Sequence, residues 1–215
     1  MKKFLFFTTV FFSLSTLIAQ SFNGSIEFKY STQKDTAPTT NVYWVKDKIV
    51  KLDQYSKKNP TVIEGSFIFN LATREIKFVN PKRKLWGSQK SETPQIVKGQ
   101  CTVTKGSATK TIAGVKCTEY TVKNIEENTI ITYWIGDGKF TFFQPLLKLW
   151  NGKDKQRIYF GQIKDLPEGA MPLMSEEKQL SDGKVLSKLE VVKINRTVPD
   201  EASMSVPANY TKFDE

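Results

Sequence analysis

The chain contains no histidine. Imidazole is the commonest general base and metal ligand in proteins. Its absence excludes Ser-His-Asp and Cys-His nucleophile arrangements and any histidine-built zinc or copper site. Cysteine is scarce as well. Cys101 and Cys117 are the whole supply, too few for a four-thiolate metal site. No glycine loop of the phosphate-cradling kind occurs. Gly136-Asp137-Gly138 and Ser181-Asp182-Gly183 have hairpin-turn composition and lack the further acidic ligands of a calcium loop. Carboxylates remain, with Glu64, Glu75, Glu119 and Asp137 as candidates, but no spacing pairs them for glycoside-hydrolase chemistry. The expectation is therefore a non-enzymatic protein without cofactor or metal.

What is present begins at the N-terminus. Lys2 and Lys3 precede an apolar segment from Phe4 to Ile18 that ends in a small residue, Ala19. This is the pattern of a secretory signal peptide, with cleavage between Ala19 and Gln20. The competing reading is a membrane anchor. A spanning helix needs about 20 mostly apolar residues, and this segment is shorter and diluted by Thr8, Thr9, Ser13, Ser15 and Thr16. The residue after the cut is Gln20 and not cysteine, so no lipid attachment is expected there. No later segment approaches spanning length. The expectation is a periplasmic or secreted protein without a stable membrane span, forming one domain over residues 20–215.

The formal charge is +10 for the whole chain and falls to +8 without Lys2 and Lys3. Basic clusters occur at Lys46/Lys48/Lys51, Lys57/Lys58, Lys82/Arg83/Lys84 and Lys153/Lys155/Arg157. They could attract an anionic surface. They sit beside turn signals, which favours solvated turns and protected strand edges. Export removes nucleic acid from the expected partners. In an oxidising compartment the even cysteine count predicts a Cys101–Cys117 disulfide. Such a loop would stabilise by about 3 kcal/mol in the chain-entropy model. Two free buried thiols are the alternative.

The rest reads as strand after strand. Ser25–Tyr30 alternates, with Ile26, Phe28 and Tyr30 on one face. Thr40–Val45, Ile49–Gln54, Val62–Asn70 and Glu75–Val79 continue an antiparallel meander. Gln100–Lys105, Cys117–Val122 and Ile130–Ile135 follow, with Gly106-Ser107 marking a turn. Lys184–Asn195 is the longest candidate, and a final short strand is expected around Met204–Val206. One segment breaks the pattern: Pro145-Leu146-Leu147-Lys148-Leu149-Trp150 reads as a single short helix, apolar nearly all round. It must pack against something, and a cover over a curved sheet is the simplest solution.

Several short stretches resemble a family of exported bacterial proteins without assigned activity. They are Thr111–Val122, Tyr133-Trp134-Ile135, Ser205–Tyr210 and Trp44–Lys48. That family in turn resembles the LolA/LppX-like superfamily of periplasmic lipoprotein carriers. The resemblance implies a mainly β fold, a curved antiparallel half-barrel with a short covering helix. It also implies a hydrophobic cleft for a lipid or lipoprotein acyl chain, and no catalytic residues. On this reading Leu146, Leu147, Leu149 and Trp150 form a movable cover. Met171, Leu173 and Met174 line the cleft, with ordinary core packing as their alternative role. A second function class is an interaction module of the cell envelope that binds a protein or polysaccharide. A sheet without an internal cleft would favour it.

Overall fold

The computed structural model describes residues 21–213, so the leader and its Ala19–Gln20 cleavage site lie outside the described residues. One twelve-stranded sheet dominates, in the order β12-β6-β5-β4-β3-β2-β1-β11-β10-β9-β8-β7. The chain starts in the middle of it. β1 (Gly24–Thr32), β2 (Thr39–Lys46), β3 (Ile49–Tyr55), β4 (Ile63–Asn70), β5 (Glu75–Asn80) and β6 (Leu85–Gln89) run outward as a meander. A strap, residues 90–100, then carries the chain to the far edge. From there β7 (Cys101–Ile112), β8 (Val115–Asn124), β9 (Thr129–Asp137), β10 (Ala170–Gln179) and β11 (Val185–Asn195) return, and β11 pairs antiparallel with β1. The tail adds a 3-10 turn (Ala202–Met204) and a two-residue strand, β12 (Thr211–Lys212), parallel to β6.

Period-two alternation is what bends this ribbon around a core. Ile26, Phe28, Tyr43, Val45, Val50, Leu52 and Phe69 share one face by register and are buried. Between β9 and β10 the chain inserts α1 (Phe143–Trp150) and α2 (Lys155–Phe160) against that face. Phe140, Phe142, Phe143, Leu146, Leu149, Tyr159, Phe160 and Ile163 from the insert are buried in the same core. Each such side chain stabilises the fold by roughly 1.5–3 kcal/mol. Pro145 lies in the first turn of α1, where a missing N–H costs nothing. Asn151 ends the helix in the left-handed region, φ 49°. Asp154 caps α2 by accepting from the Gln156 N–H.

The mainly β, curved antiparallel fold agrees with the sequence expectation. Four details differ. The cover is two helices, because Asn151–Asp154 turns the chain and caps a second one. Gly106-Ser107 lies inside β7, at the irregularity between Lys105 and Thr109, and the hairpin turn is Ala113-Gly114 with both residues at positive φ. β6 and β10 are absent from the expected strands, and β10 carries a proline. Here Pro172 sits at a register shift, where a strand tolerates it. The C-terminal strand is Thr211–Lys212, and Met204 ends the 3-10 turn instead.

The expected disulfide is absent. Cys101 and Cys117 are free thiols. Cys101 faces Asn124 and Cys117 faces Lys110, so they stand near opposite ends of the β7–β8 ladder. At the rise of a strand that is roughly 20 Å, far beyond the ~7 Å that a bridge spans. Burial pushes the Cys117 thiol up. Intact-mass analysis under non-reducing conditions is expected to give the dithiol mass, with Cys101 alkylated faster than Cys117. The bridged mass would refute the assignment.

Glu127 ties three pieces together. Its Oε1 accepts from the Lys98 N–H of the strap at 2.9 Å. Its Oε2 accepts from the Tyr159 hydroxyl at 2.7 Å and lies 3.2 Å from Lys155 Nζ. The Lys98 amide first, then the Tyr159 hydroxyl, hold its carboxyl below the usual range. A depressed carboxylate contributes stability above its unfolded pKa, about 4.3, and loses it as pH falls through the folded value. Glu127→Gln is therefore expected to be less stable than the parent near neutrality. The gap should shrink below about pH 4, as urea titrations at several pH values would read.

Candidate functional site

The concave face is graded along its strands. Across β1, β2 and β3 the register stacks Ile26 with Tyr43 and Leu52, and then Phe28 with Asn41 and Gln54. One end is thus apolar and the other carries polar groups. The helical insert fills the apolar part. At the polar end a cleft of about 300 Å³ stays open. Phe28, Tyr30, Leu52 and Leu189 form its sheet wall, with Asn41 and Gln54. Trp150, Lys153, Asp154 and Arg157 from the insert face them, together with Glu92 of the strap. Behind it a chamber of about 30 Å³ shares Phe28, Asp154, Arg157 and Leu189, and reaches Tyr133, Phe160 and Met171. That is about one water's share of volume.

Buried polar groups organise the chamber. Gln156 donates from Nε2 to Ser187 Oγ at 2.7 Å, and its Oε1 accepts from the Ser175 hydroxyl. Ser187 Oγ donates to Glu177 Oε2 at 2.7 Å. The Tyr133 hydroxyl donates to the Gln156 carbonyl at 2.6 Å. At the mouth the Arg157 guanidinium lies 3.9 Å from the centre of the Trp150 ring, with Nε 3.7 Å from Asp154 Oδ2. Trp150 packs on Phe67 and Phe69 at 5.3 and 5.0 Å, which fixes the stack over the sheet. Burial first, then the Asp154 charge, pushes the Tyr30 phenol up to about 12, so it stays neutral and can donate.

Two carboxylates reach the cleft, but they differ. Asp154 is committed: Oδ1 caps α2 and Oδ2 faces Arg157. Glu92 Oε2 is buried, makes no hydrogen bond and lies 4.0 Å from Lys153 Nζ as a loose ion pair. The arrangement offers cations, one orphan acceptor and an apolar wall. That is the equipment of recognition. Among the described residues no three His, Cys, Asp or Glu side chains gather as a metal site. Glu64, Glu75 and Asp137 are exposed.

The expected site residues scatter. Trp150 lines the open cleft and Met171 the chamber. Leu146, Leu149 and Leu173 are fully or nearly fully buried in the core. Leu147 is half-buried and lines a shallow outer depression with Pro94 and Ile158. Met174 leaves the set. It pairs with Trp134 and Glu190, on the face opposite Tyr133 and Ser175, and its Sδ lies 2.8 Å from Lys110 Nζ. The register shift between Pro172 and Met174 sets this phase. Tyr30, Arg157, Gln156 and Leu189 were not among the expected site residues. Arg157 sits in a basic cluster read as solvated, and its pairing with Trp150 arises only across the α1–α2 turn.

Gln156→Leu keeps the volume but removes the amide that joins Ser175 and Ser187. Unpaired buried hydroxyls predict a loss of about 1–3 kcal/mol. A fall in the urea midpoint at unchanged slope would show it.

No family model and no curated protein matches the sequence. Among solved structures, an uncharacterized conserved protein from Thermus thermophilus superposes with a TM-score of 0.50 at 10% identity, over 88% of each chain. PNGF-II superposes with a TM-score of 0.46 at 13% identity, over 91% of this chain but 32% of that one. A LolA superfamily protein from Nitrosomonas europaea gives 0.33 at 11% identity, over 85% of this chain and 89% of that one. At these identities the likeness speaks for fold alone. The chain is similar in architecture to the Thermus protein.

Proposed function

We propose that this protein is an exported, non-enzymatic binding protein. It takes a small amphipathic ligand, a short acyl chain or comparable apolar tail with a polar head, in the concave cleft. The observation that carries this reading is the cleft's division of labour. Phe28, Leu52 and Leu189 offer an apolar wall, while Arg157, Lys153 and the orphan Glu92 Oε2 sit at the rim. A volume of about 300 Å³ stands at the small end of ligand pockets. The chamber behind it, about 30 Å³, has no room for a long acyl chain while the insert keeps its place. The ligand is accordingly shorter than a lipoprotein's acyl chains, and its head is zwitterionic or anionic. Among the described residues no helix is long and apolar enough to cross a membrane.

A second reading has one observation in its favour. The concave face is filled largely by the protein's own aromatic side chains, as an interaction module of the cell envelope would have it.

Displacement of a dansyl-labelled fatty acid by decanoate separates the two. The binding reading expects saturable uptake, competition by decanoate, and at least about tenfold weaker binding in Leu189→Trp, which fills the wall. Absence of uptake, with no extractable ligand in native mass spectra of protein from its own host, overturns it in favour of the interaction module.

A further inference from the structure

Another cavity lies on the other face of the sheet. It measures about 500 Å³. Its floor is the outward row of β3 to β6, with Ile49, Ile68, Lys77 and Trp86. Its roof is the C-terminal tail, where Met204, Pro207 and Tyr210 reach back over the strands. The tail is fastened at both sides. Met204 is buried against the sheet, and the Thr211 and Phe213 amides donate to the Lys84 and Trp86 carbonyls at 3.0 and 2.9 Å. Gly87 leaves the space that the Phe213 ring occupies, since any β-carbon there would overlap the ring.

The lining carries Glu75, Glu201 and Lys77, and Lys212 lies beside it over the Trp86 ring. Glu201 is paired with Lys46 at 3.5 Å, and Glu75 accepts from the Thr73 hydroxyl at 2.9 Å. Lys77 and Lys212 instead hold their ammonium groups 5.4 and 5.6 Å from the centre of the Trp86 ring. Among the described residues neither lysine has a carboxylate within ion-pair distance. Two cations on an indole, beside an isoleucine floor and a Pro-Tyr roof, complement a flat apolar body that carries a negative group.

We propose that this cavity is a second ligand site, separate from the concave cleft, which binds a small aryl carboxylate or sulfonate. The ring lies between Ile68 and the tail, and the anion meets Lys77. The site needs the tail in place. It is independent of the function proposed for the concave face, since the two cavities share no residue.

Calorimetric titration of the full chain with 2-naphthoate tests it. One saturable site is expected. Lys77→Met should weaken it about tenfold or more and flatten its salt dependence, because a charge-assisted contact is lost. Ala208→Trp, which fills the cavity, should abolish binding. Leu189→Trp in the concave cleft should leave it unchanged. Lys77→Gln serves if Lys77→Met lowers the melting temperature. The proposal is overturned by absence of saturable binding, by an affinity indifferent to both Lys77 and Ala208 variants, or by loss of binding in Leu189→Trp.

Discussion

The packing of the α1–α2 insert into the hollow of the sheet is the contact on which the rest of the molecule depends. An antiparallel sheet with one apolar face must bury that face against another layer. This sheet cannot fold onto itself, because its edges, β12 and β7, stay apart. The insert supplies the missing layer from a single loop between β9 and β10. Phe140, Phe142, Phe143, Leu146, Leu149 and Phe160 enter the same core as Ile26, Val45, Leu52 and Phe69. Aromatic edges meet faces across the seam, as with Tyr43 and Phe142 at 6.1 Å, and Tyr133 and Phe160 at 5.9 Å.

Connectivity follows from that layer. The chain enters the sheet at its centre and exhausts one side at β6. It must then cross to β7 without threading the core, and the strap does this over the helices. Ser91 Oγ donates to the Leu149 carbonyl at 2.5 Å, Asn151 Nδ2 donates to Ser91 Oγ at 3.1 Å, and Glu127 receives Lys98 at the far end. The tail plays the matching part on the outer face. An irregular strap thus crosses over the helices on the concave side and an irregular tail lies over β3 to β6 on the outer side, each held by a few specific hydrogen bonds.

The same geometry places the two cavities. Strand register sorts polar residues to one end of the concave face, and the insert is too short to cover them. The open cleft is what remains. The turn between the helices brings Arg157 back onto Trp150, so the rim charge is fixed by the cover itself. On the outer face a tail of loose turns spans Ile49, Ile68 and Trp86 without filling the space beneath. Both cavities lie where an irregular segment meets a regular sheet, because such a segment cannot match a pleated surface at every row.

Alternation along Ile26-Phe28-Tyr30 and the strand-rich runs such as Thr40–Val45 and Glu75–Val79 made most strands readable from residues alone. The helical segment at Pro145–Trp150 was readable for the same local reason. Local pattern also set the histidine-free chemistry, which no tertiary arrangement can change. The strand at β10 has no clean alternation around Pro172, and only the register beyond its bulge puts Met174 on the outer face. The disulfide expectation failed because two cysteines close in number were carried to opposite ends of one ladder. Which leucines are core and which face a cavity, and where Arg157 meets Trp150, depend on contacts between residues far apart in the chain. Those contacts follow from sheet order and the position of the insert, and only the tertiary structure decided them.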